Sequence, residues 1–343
     1  MKIVVLAGGI STERDVSLSS GKMIYEALKR KGHQTVLLDV FLGYNGDITD
    51  IFEKEEDWAR EIGAVREQNP DIGQVKALRP DWKKNFFGPH VLSLCQQADV
   101  VFMGLHGEDG ENGKIQACFD LMGITYTGTD YVSSALAMDK GLAKELFIYN
   151  KIPTPEGITL KSGEEETVKV PYPCIVKSCK GGSSIGVVIA KNDAEYEAAK
   201  KEAFKYDNEV VIEQYITGRE FSVCVMDGKA LPVIEIAPLK GFYDYKNKYQ
   251  AGSTVETCPA QIPEEKAVEM QMLAEKVFQV LRLKCYARMD FMMSETGDLY
   301  CLEANTLPGM TPMSLIPQEA RAIGMEFDDL CQWIIDMAVN KCE

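Results

Sequence analysis

The sequence predicts a mixed fold: an α/β domain around a parallel sheet, then an α+β region whose sheets are mainly antiparallel. Three observations predict it. The chain opens as strand, glycine turn, helix and strand, the unit from which parallel sheets are assembled. After Ile152-Pro153-Thr154-Pro155 the rhythm changes to short β-like runs with turn signals between them, which read as hairpins. Last, 343 residues are enough for two or three domains with real cores.

Each element has its own reason. Ile3 to Ala7 is apolar but too short for a signal-peptide core, so it reads as a buried strand. Val16, Met23, Ile24 and Leu28 share a helical stripe that Gly32 closes, and HQTVLLDV is the next strand. Residues 41 to 90 are polar and aperiodic and suggest no element. Ala98 to Leu105 is a continuous apolar run, as in a strand buried on both faces. It ends at His106-Gly107, so the polar groups after it lie at the sheet edge where open α/β sheets bind ligands. Helices follow over Lys114 to Met122 and from about Tyr131, with Thr129 or Asp130 as N-cap. The runs PCIVKS, GVVIAKN, EVVIEQYI, EFSVCVMDG and ALPVIEIAP read as strands. Glu264 to Arg282 reads as a helix with Val268, Met272, Leu273, Val277 and Val280 as its apolar positions.

Composition narrows the function. Apolar residues make up 45% and charged residues 26%, ordinary values for a soluble globular chain. Thirty-seven Lys and Arg against 52 Asp and Glu give a net charge of −15. That argues against a general nucleic-acid binder and against docking on an anionic membrane. It leaves room for a locally basic pocket. No apolar run approaches the roughly 18 residues of a membrane span. Without an export signal, the ten cysteines are expected in a reducing cytoplasm. They are scattered, with no Cys-x-x-Cys pair, and read as buried small hydrophobes.

Two glycine loops are candidates for ligand contact. Gly8-Gly9, with Asp39 after the next strand, superficially resembles a dinucleotide site, but the full Gly-x-Gly-x-x-Gly spacing is absent. A tight turn is the preferred reading. The second loop, Lys177-Ser178-Cys179-Lys180-Gly181-Gly182-Ser183-Ser184-Ile185-Gly186, joins two β-like runs by a Gly-Ser tip. Backbone N–H groups there suit a phosphate, and Ser183, Ser184 and Lys177 add donors. Taken alone, a plain hairpin with a solvated lysine is the simpler reading.

A third constellation changes the balance. Tyr286 to Met293 and Leu299 to Asn305 alternate as strands around the turn SETGD. A symmetric turn at Thr296-Gly297 pairs Asp290 with Glu303 and Arg288 with Asn305 on one face. The other face then pairs Met289 with Ala304, Phe291 with Leu302 and Met293 with Tyr300. Opposed carboxylates repel. A divalent cation relieves this better than Arg288 does, and Asp290, Glu303 and the Asn305 carbonyl are hard oxygen ligands suited to magnesium. An exposed polar face with Arg288 as counter-ion is the alternative. Magnesium beside a phosphate-cradling loop points to nucleoside triphosphate chemistry.

These residues resemble the D-alanine–D-alanine ligases of the ATP-grasp superfamily. Six motifs carry the resemblance in order: Ser11-x-Glu13-Arg14-x-Val16-Ser17-Leu18-x-Ser20-Gly21; His106-Gly107 with Gly110-Glu111-Asn112-Gly113; Ala137-Met138-Asp139-Lys140; Gly182-Ser183-Ser184-x-Gly186; Tyr243-Asp244-Tyr245 with Lys248-Tyr249; and Leu302-Glu303-Ala304-Asn305-Thr306-x-Pro308-Gly309-Met310-Thr311. It runs almost end to end, with 41 to 90 unplaced.

The resemblance implies three parts: a Rossmann-like α/β domain over 1–128, a central ATP-grasp subdomain over 129–213, and a C-terminal subdomain over 214–343 with the metal site and an omega-loop. It implies ATP-dependent joining of two D-alanines through an acyl phosphate, for peptidoglycan precursors, in the cytoplasm. By the same resemblance Lys140, Lys177, Ser183, Ser184 and Lys248 hold ATP phosphates, with Lys248 on a lid over 241–252. Glu213 and Glu220 hold adenine and ribose. Asp290, Glu303 and Asn305 bind two Mg2+ ions, with Mn2+ as a substitute. Glu13, near His106, anchors the first D-alanine. Arg288 and the Gly309 backbone stabilise the oxyanion, and Ser314 and Leu315 receive the second carboxylate. Glu13, Ser183 and Tyr249 join the three domains. The partners implied are ATP and D-alanine, with no nucleic acid or membrane and room for a homodimer. Two residues depart from the family pattern: Ser178 stands where proline is usual, and Asn112 replaces an acidic residue. A relative adding D-serine or D-lactate, and a non-catalytic sensor of nucleotide or amino acid, are the rival readings. Tyr249 favours the dipeptide over the ester.

Overall fold

Three sheets organise the described residues of the computed structural model, which are 1–60, 62–63, 70–182, 186–239 and 253–340. The chain forms two compact units. One comprises Met1–Val132, Lys284–Ala287 and Thr306–Glu343; the other comprises Ser133–Leu283 and Arg288–Asn305.

The first unit is built on β1 (Lys2–Ala7), β2 (Gln34–Asp39) and β3 (Val100–Met103), parallel in the order β2-β1-β3. Both faces of β1 are covered, and Ile3 to Ala7 are fully buried, the reason the run is apolar without alternation. Helix α1 (Arg14–Arg30) buries Val16, Ile24 and Leu28, while Met23 stays partly exposed. The unplaced stretch is largely a cover for this core. It holds α2 (Ile72–Ala77), and Phe41, Phe52, Phe86, Phe87 and Trp58 pack on the cluster that contains Phe119 and Tyr126. Its signal is aromatic rather than periodic, and aromatic residues carry much of a core's buried area. Helices α3 (Val91–Gln97) and α4 (Lys114–Met122) complete the layer.

Asp39 resolves the first glycine loop. Its carboxylate is ion-paired with Arg14 and accepts the N–H groups of Phe41 and Leu42. Gly8 has φ +77°, and a Cβ on it would fall 2.5 Å from an Asp39 oxygen. The turn is tight and packs against the Asp39 carboxylate.

The second unit holds two sheets. One is antiparallel, in the order β4 (Gly157–Lys161), β7 (Glu209–Gln214), β5 (Cys174–Ser178), β6 (Val188–Ala190), with α7 (Asp193–Ala203) packed on it. The other runs β11 (Thr254–Thr257), β10 (Ile234–Pro238), β8 (Gly218–Met226), β12 (Tyr286–Ser294), β13 (Leu299–Asn305), with β9 (Lys229–Ala230) beside β8.

Three expectations need correction. The helix expected from Tyr131 is two, α5 (Tyr131–Met138) and α6 (Lys140–Tyr149), because extended Asp139 caps α6 by accepting the Leu142 N–H. Helix α8 (Glu264–Val280) buries Met270, Ala274, Val277 and Phe278, whereas Val268 and Met272 are exposed. Two apolar stripes compete on that helix, and periodicity alone does not separate them. The β12–β13 register keeps Arg288↔Asn305, Met289↔Ala304 and Asp290↔Glu303, then shifts to Phe291↔Cys301 and Met293↔Leu299. Leu302 is the extra residue of a bulge, so Phe291 does not oppose Leu302 and Met293 does not oppose Tyr300.

Of the described cysteines, seven are buried, two are half-buried, and none is in a disulfide. No helix among the described residues is long and apolar enough to cross a membrane.

Candidate active site

In the second unit, a cavity of about 430 Å³ lies between the two sheets. Ile175, Ile189, Ile236 and Leu302 give it apolar walls, and Lys140, Lys177, Glu213, Glu220, Asp290 and Glu303 give it charge. An apolar slot with a few convergent charged groups is the usual character of a cofactor-sized site.

Strand register puts the metal-ligand candidates together. Asp290 and Glu303 are cross-strand partners, and Arg288 opposes Asn305. Asp290 is buried and accepts from Arg288 Nε at 2.9 Å, Arg288 Nη2 at 2.8 Å, Asn305 Nδ2 at 3.0 Å and Ser222 Oγ at 2.9 Å. Lys140 Nζ lies 3.4 Å from Glu303 Oε2 and donates to the Gly181 carbonyl at 2.7 Å. These cations offset the opposed carboxylates. The donors are all hard oxygens, a set that fits a hard divalent cation.

Beside them is a buried trio. Glu213 Oε1 is 2.5 Å from Lys177 Nζ, and its Oε2 is 2.8 Å from Lys144 Nζ. Burial alone would raise the Glu213 carboxyl, but Lys177 and Lys144 together hold it below the usual carboxylate range. Burial likewise pulls Lys177 down, and Glu213 outweighs it to leave the ammonium raised. Lys144 is lowered by burial, which Glu213 offsets only in part.

In the first unit, Glu13 is buried at the start of α1. Gly107 has φ +76°, and a Cβ on it would fall 2.8 Å from Glu13 Oε2. Only glycine accepts both conditions. His106 is fixed at both ring nitrogens, with Ser20 Oγ at 2.9 Å from Nε2 and the Leu307 carbonyl at 2.8 Å from Nδ1. Glu111 accepts the N–H groups of Gly107 at 2.6 Å and Leu307 at 3.2 Å. Asn112, the departure from the family pattern, accepts the Lys114 N–H at 3.2 Å. Ser314 Oγ, just before α9 (Leu315–Ala322), accepts the Thr311 N–H at 3.1 Å. Gly309 lies close by, since a Cβ on it would meet Ser314 Oγ at 2.9 Å.

Ser183, Ser184, Lys248 and Tyr249, with the expected lid over 241–252, lie outside the described residues. Ser20, which stands in the first motif without a role, holds His106, and two residues that the sequence does not single out, Lys144 and Ser222, also take part here. Lys144 carries a signal, a lysine on the stripe of α6 that buries Gly141, Ala143 and Phe147. Ser222 carries none, because a buried serine is ordinary.

Two sheets enclosing a cavity with opposed carboxylates and converging lysines define an ATP-grasp enzyme fold. The model of the D-ala D-ala ligase N-terminus matches residues 2–129, and that of the D-ala D-ala ligase C-terminus matches 138–336. The chain is 44% identical to the D-alanine–D-alanine ligase of Pediococcus pentosaceus, over 98% of this chain and 97% of that one. The crystal structure of the Bacillus anthracis D-alanine–D-alanine ligase complexed with ATP is similar, with a TM-score of 0.76 at 28% identity, covering 99% and 98% of the two chains. The VanG D-Ala:D-Ser ligase from Enterococcus faecalis gives 0.75 at 28% identity, covering 98% and 99%. This chain belongs to the D-alanine–D-alanine ligase family.

Proposed function

We propose that the protein uses ATP to join two D-alanines into D-alanyl-D-alanine, a step of peptidoglycan precursor synthesis in the cytoplasm. The observation that carries this is the Asp290–Glu303 pair in a cavity that also holds Lys140 and Lys177, together with the family membership. Lys140, Lys177 and Lys248, with Ser183 and Ser184, hold the phosphates. Glu213 and Glu220 serve the adenine and ribose end. Asp290, Glu303 and Asn305 would hold two magnesium ions, which when bound neutralise phosphate charge.

Glu13, with His106 nearby, holds the ammonium of the first D-alanine. Its carboxylate oxygen attacks the γ-phosphorus and ADP leaves, giving an acyl phosphate. The amine of the second D-alanine, its carboxylate received at Ser314 and Leu315, attacks that carbonyl. Arg288 and the Gly309 N–H stabilise the oxyanion, and phosphate leaves with loss of the amine proton. The chain's contribution is positioning and charge stabilisation. Glu13, Ser183 and Tyr249 connect the three parts of the proposed domain division.

The likeness to a D-Ala:D-Ser ligase keeps D-serine as a second reading for the incoming amine. Phosphate release from ATP with D-alanine alone, and with D-serine or D-lactate added, separates these when product masses are read. Dipeptide from D-alanine alone is expected. Nucleotide binding without phosphate release in any mixture would overturn the ligase reading and leave a sensor.

A further inference from the structure

Helix α6 sends two lysines to different tasks one turn apart. Lys140 lines the cavity, and Lys144 does not. The Lys144 ammonium donates to Thr154 Oγ1 at 3.1 Å and to the Pro155 carbonyl, and it is ion-paired with Glu213 Oε2 at 2.8 Å. All three of its contacts are with the protein's own groups. Its partner Glu213 is a buried member of β7 whose other oxygen meets Lys177. Lys177 opposes Val211 in the β5–β7 ladder, so it shares a sheet face with Glu213 two residues along. The geometry therefore forms a chain of contacts, from the Thr154-Pro155 break through Lys144 and Glu213 to Lys177 at the cavity wall.

We propose that Lys144 is a positioning residue of the nucleotide pocket, which pins the Glu213 carboxylate and through it sets the place and charge of Lys177. This inference rests on the nucleotide reading of the cavity. Two lysines around one carboxylate leave the trio with a net charge of about +1. A single Lys177–Glu213 pair is neutral, and its lysine is committed to the carboxylate. The second lysine thus lets Glu213 stay ionised while Lys177 keeps positive charge for a polyanionic ligand. Without it, Glu213 Oε2 also loses its ion-pair partner in a buried place, and the carboxylate is free to turn.

Lys144→Met keeps length and removes the charge. Coupling through a contacting residue predicts an ATP KM higher by about tenfold. The D-alanine KM stays within about twofold and kcat within about threefold, because Lys144 touches neither the amino acids nor the reacting atoms. A non-hydrolysable ATP analogue, titrated calorimetrically without D-alanine, should weaken by the same factor. Lys144→Arg, which retains the charge, should recover most of the loss. Thr154→Val is the milder companion and should give a smaller shift of the same kind; it decides the matter if Lys144→Met does not fold. A purely structural lysine would lower kcat and raise both KM values in proportion to lost folded protein, and that pattern overturns the proposal. Unchanged analogue affinity in the folded variants overturns it as well, while leaving the nucleotide reading intact. If the unaltered protein fails to bind the analogue, both fall together.

Discussion

At the scale of single residues, Asp290 and Glu303 each meet a cation. Asp290 accepts four hydrogen bonds from Arg288, Asn305 and Ser222, whereas Glu303 faces Lys140 at 3.4 Å. Glu303→Gln keeps the shape and removes the charge. Turnover at limiting magnesium should fall by roughly a hundredfold. The metal-free variant should melt no lower than the unaltered protein, because the cross-strand repulsion is gone. Steady-state rates over a magnesium titration and thermal melts in chelator check both. Near-normal ligation at limiting magnesium would remove Glu303 from the proposed metal site. Asp290, Glu303, Asn305 and Arg288 were legible because strand alternation and opposition follow from residue numbers alone. Lys144 is easier to pass over, since a lysine in a helix reads as a solvated residue until its place on the buried stripe of α6 is marked.

Elements set where those residues start. Asp139 ends α5 and begins α6, accepting the Leu142 N–H at 3.1 Å, and this places Lys140 at the first helical position. Asp139→Ala should cost about 1 kcal/mol as a lost N-cap, and Asp139→Asn should recover most of it. Urea unfolding should show a lower midpoint at an unchanged slope for the alanine variant. A midpoint equal to that of the unaltered protein would mean that the cap contributes nothing. Apolar spacing continues past this point and predicts one helix; the capping aspartate, not the periodicity, decides. The β12–β13 hairpin shows the same limit. Its pairing nearest the site follows the numbering, but the Ser294–Asp298 turn closes with Gly297 at φ +85° and a Ser294 N–H to Asp298 carbonyl bond. Closure one residue earlier than a symmetric turn allows requires the bulge at Leu302. Periodicity could not reveal this, since the turn's backbone conformation sets it.

For the whole molecule, the parallel sheet, the hairpin-rich second unit and the acidic balance were readable, because buried strands and turns leave strong local patterns. The cover formed by the described part of residues 41–90 was not readable, since most of its aromatics reach the core from loops. Acidic charge and the buried trio now make opposing demands as pH falls. Protonating surface carboxylates relieves the net charge of −15, whereas protonating Glu213 leaves Lys144 and Lys177 without their shared anion. Comparing the protein with Glu213→Gln cancels the first effect and isolates the second. At neutral pH the variant should be less stable by about 3–5 kcal/mol, the usual result of removing one member of a buried ion group. The folded-state pKa of Glu213 is lowered from 4.5, so the unfolded chain takes up this proton first. The stabilisation is complete above the unfolded value and is lost as pH drops through the folded one. The stability gap should therefore be constant from about pH 7 to 5.5 and narrow below about 4.5, as the unaltered protein becomes an uncharged equivalent of its variant. Urea midpoints for both proteins across that range measure it. A gap that stays constant into acid would mean that Glu213 does not titrate as an ionised member of the trio, and would take with it the charge argument for Lys144.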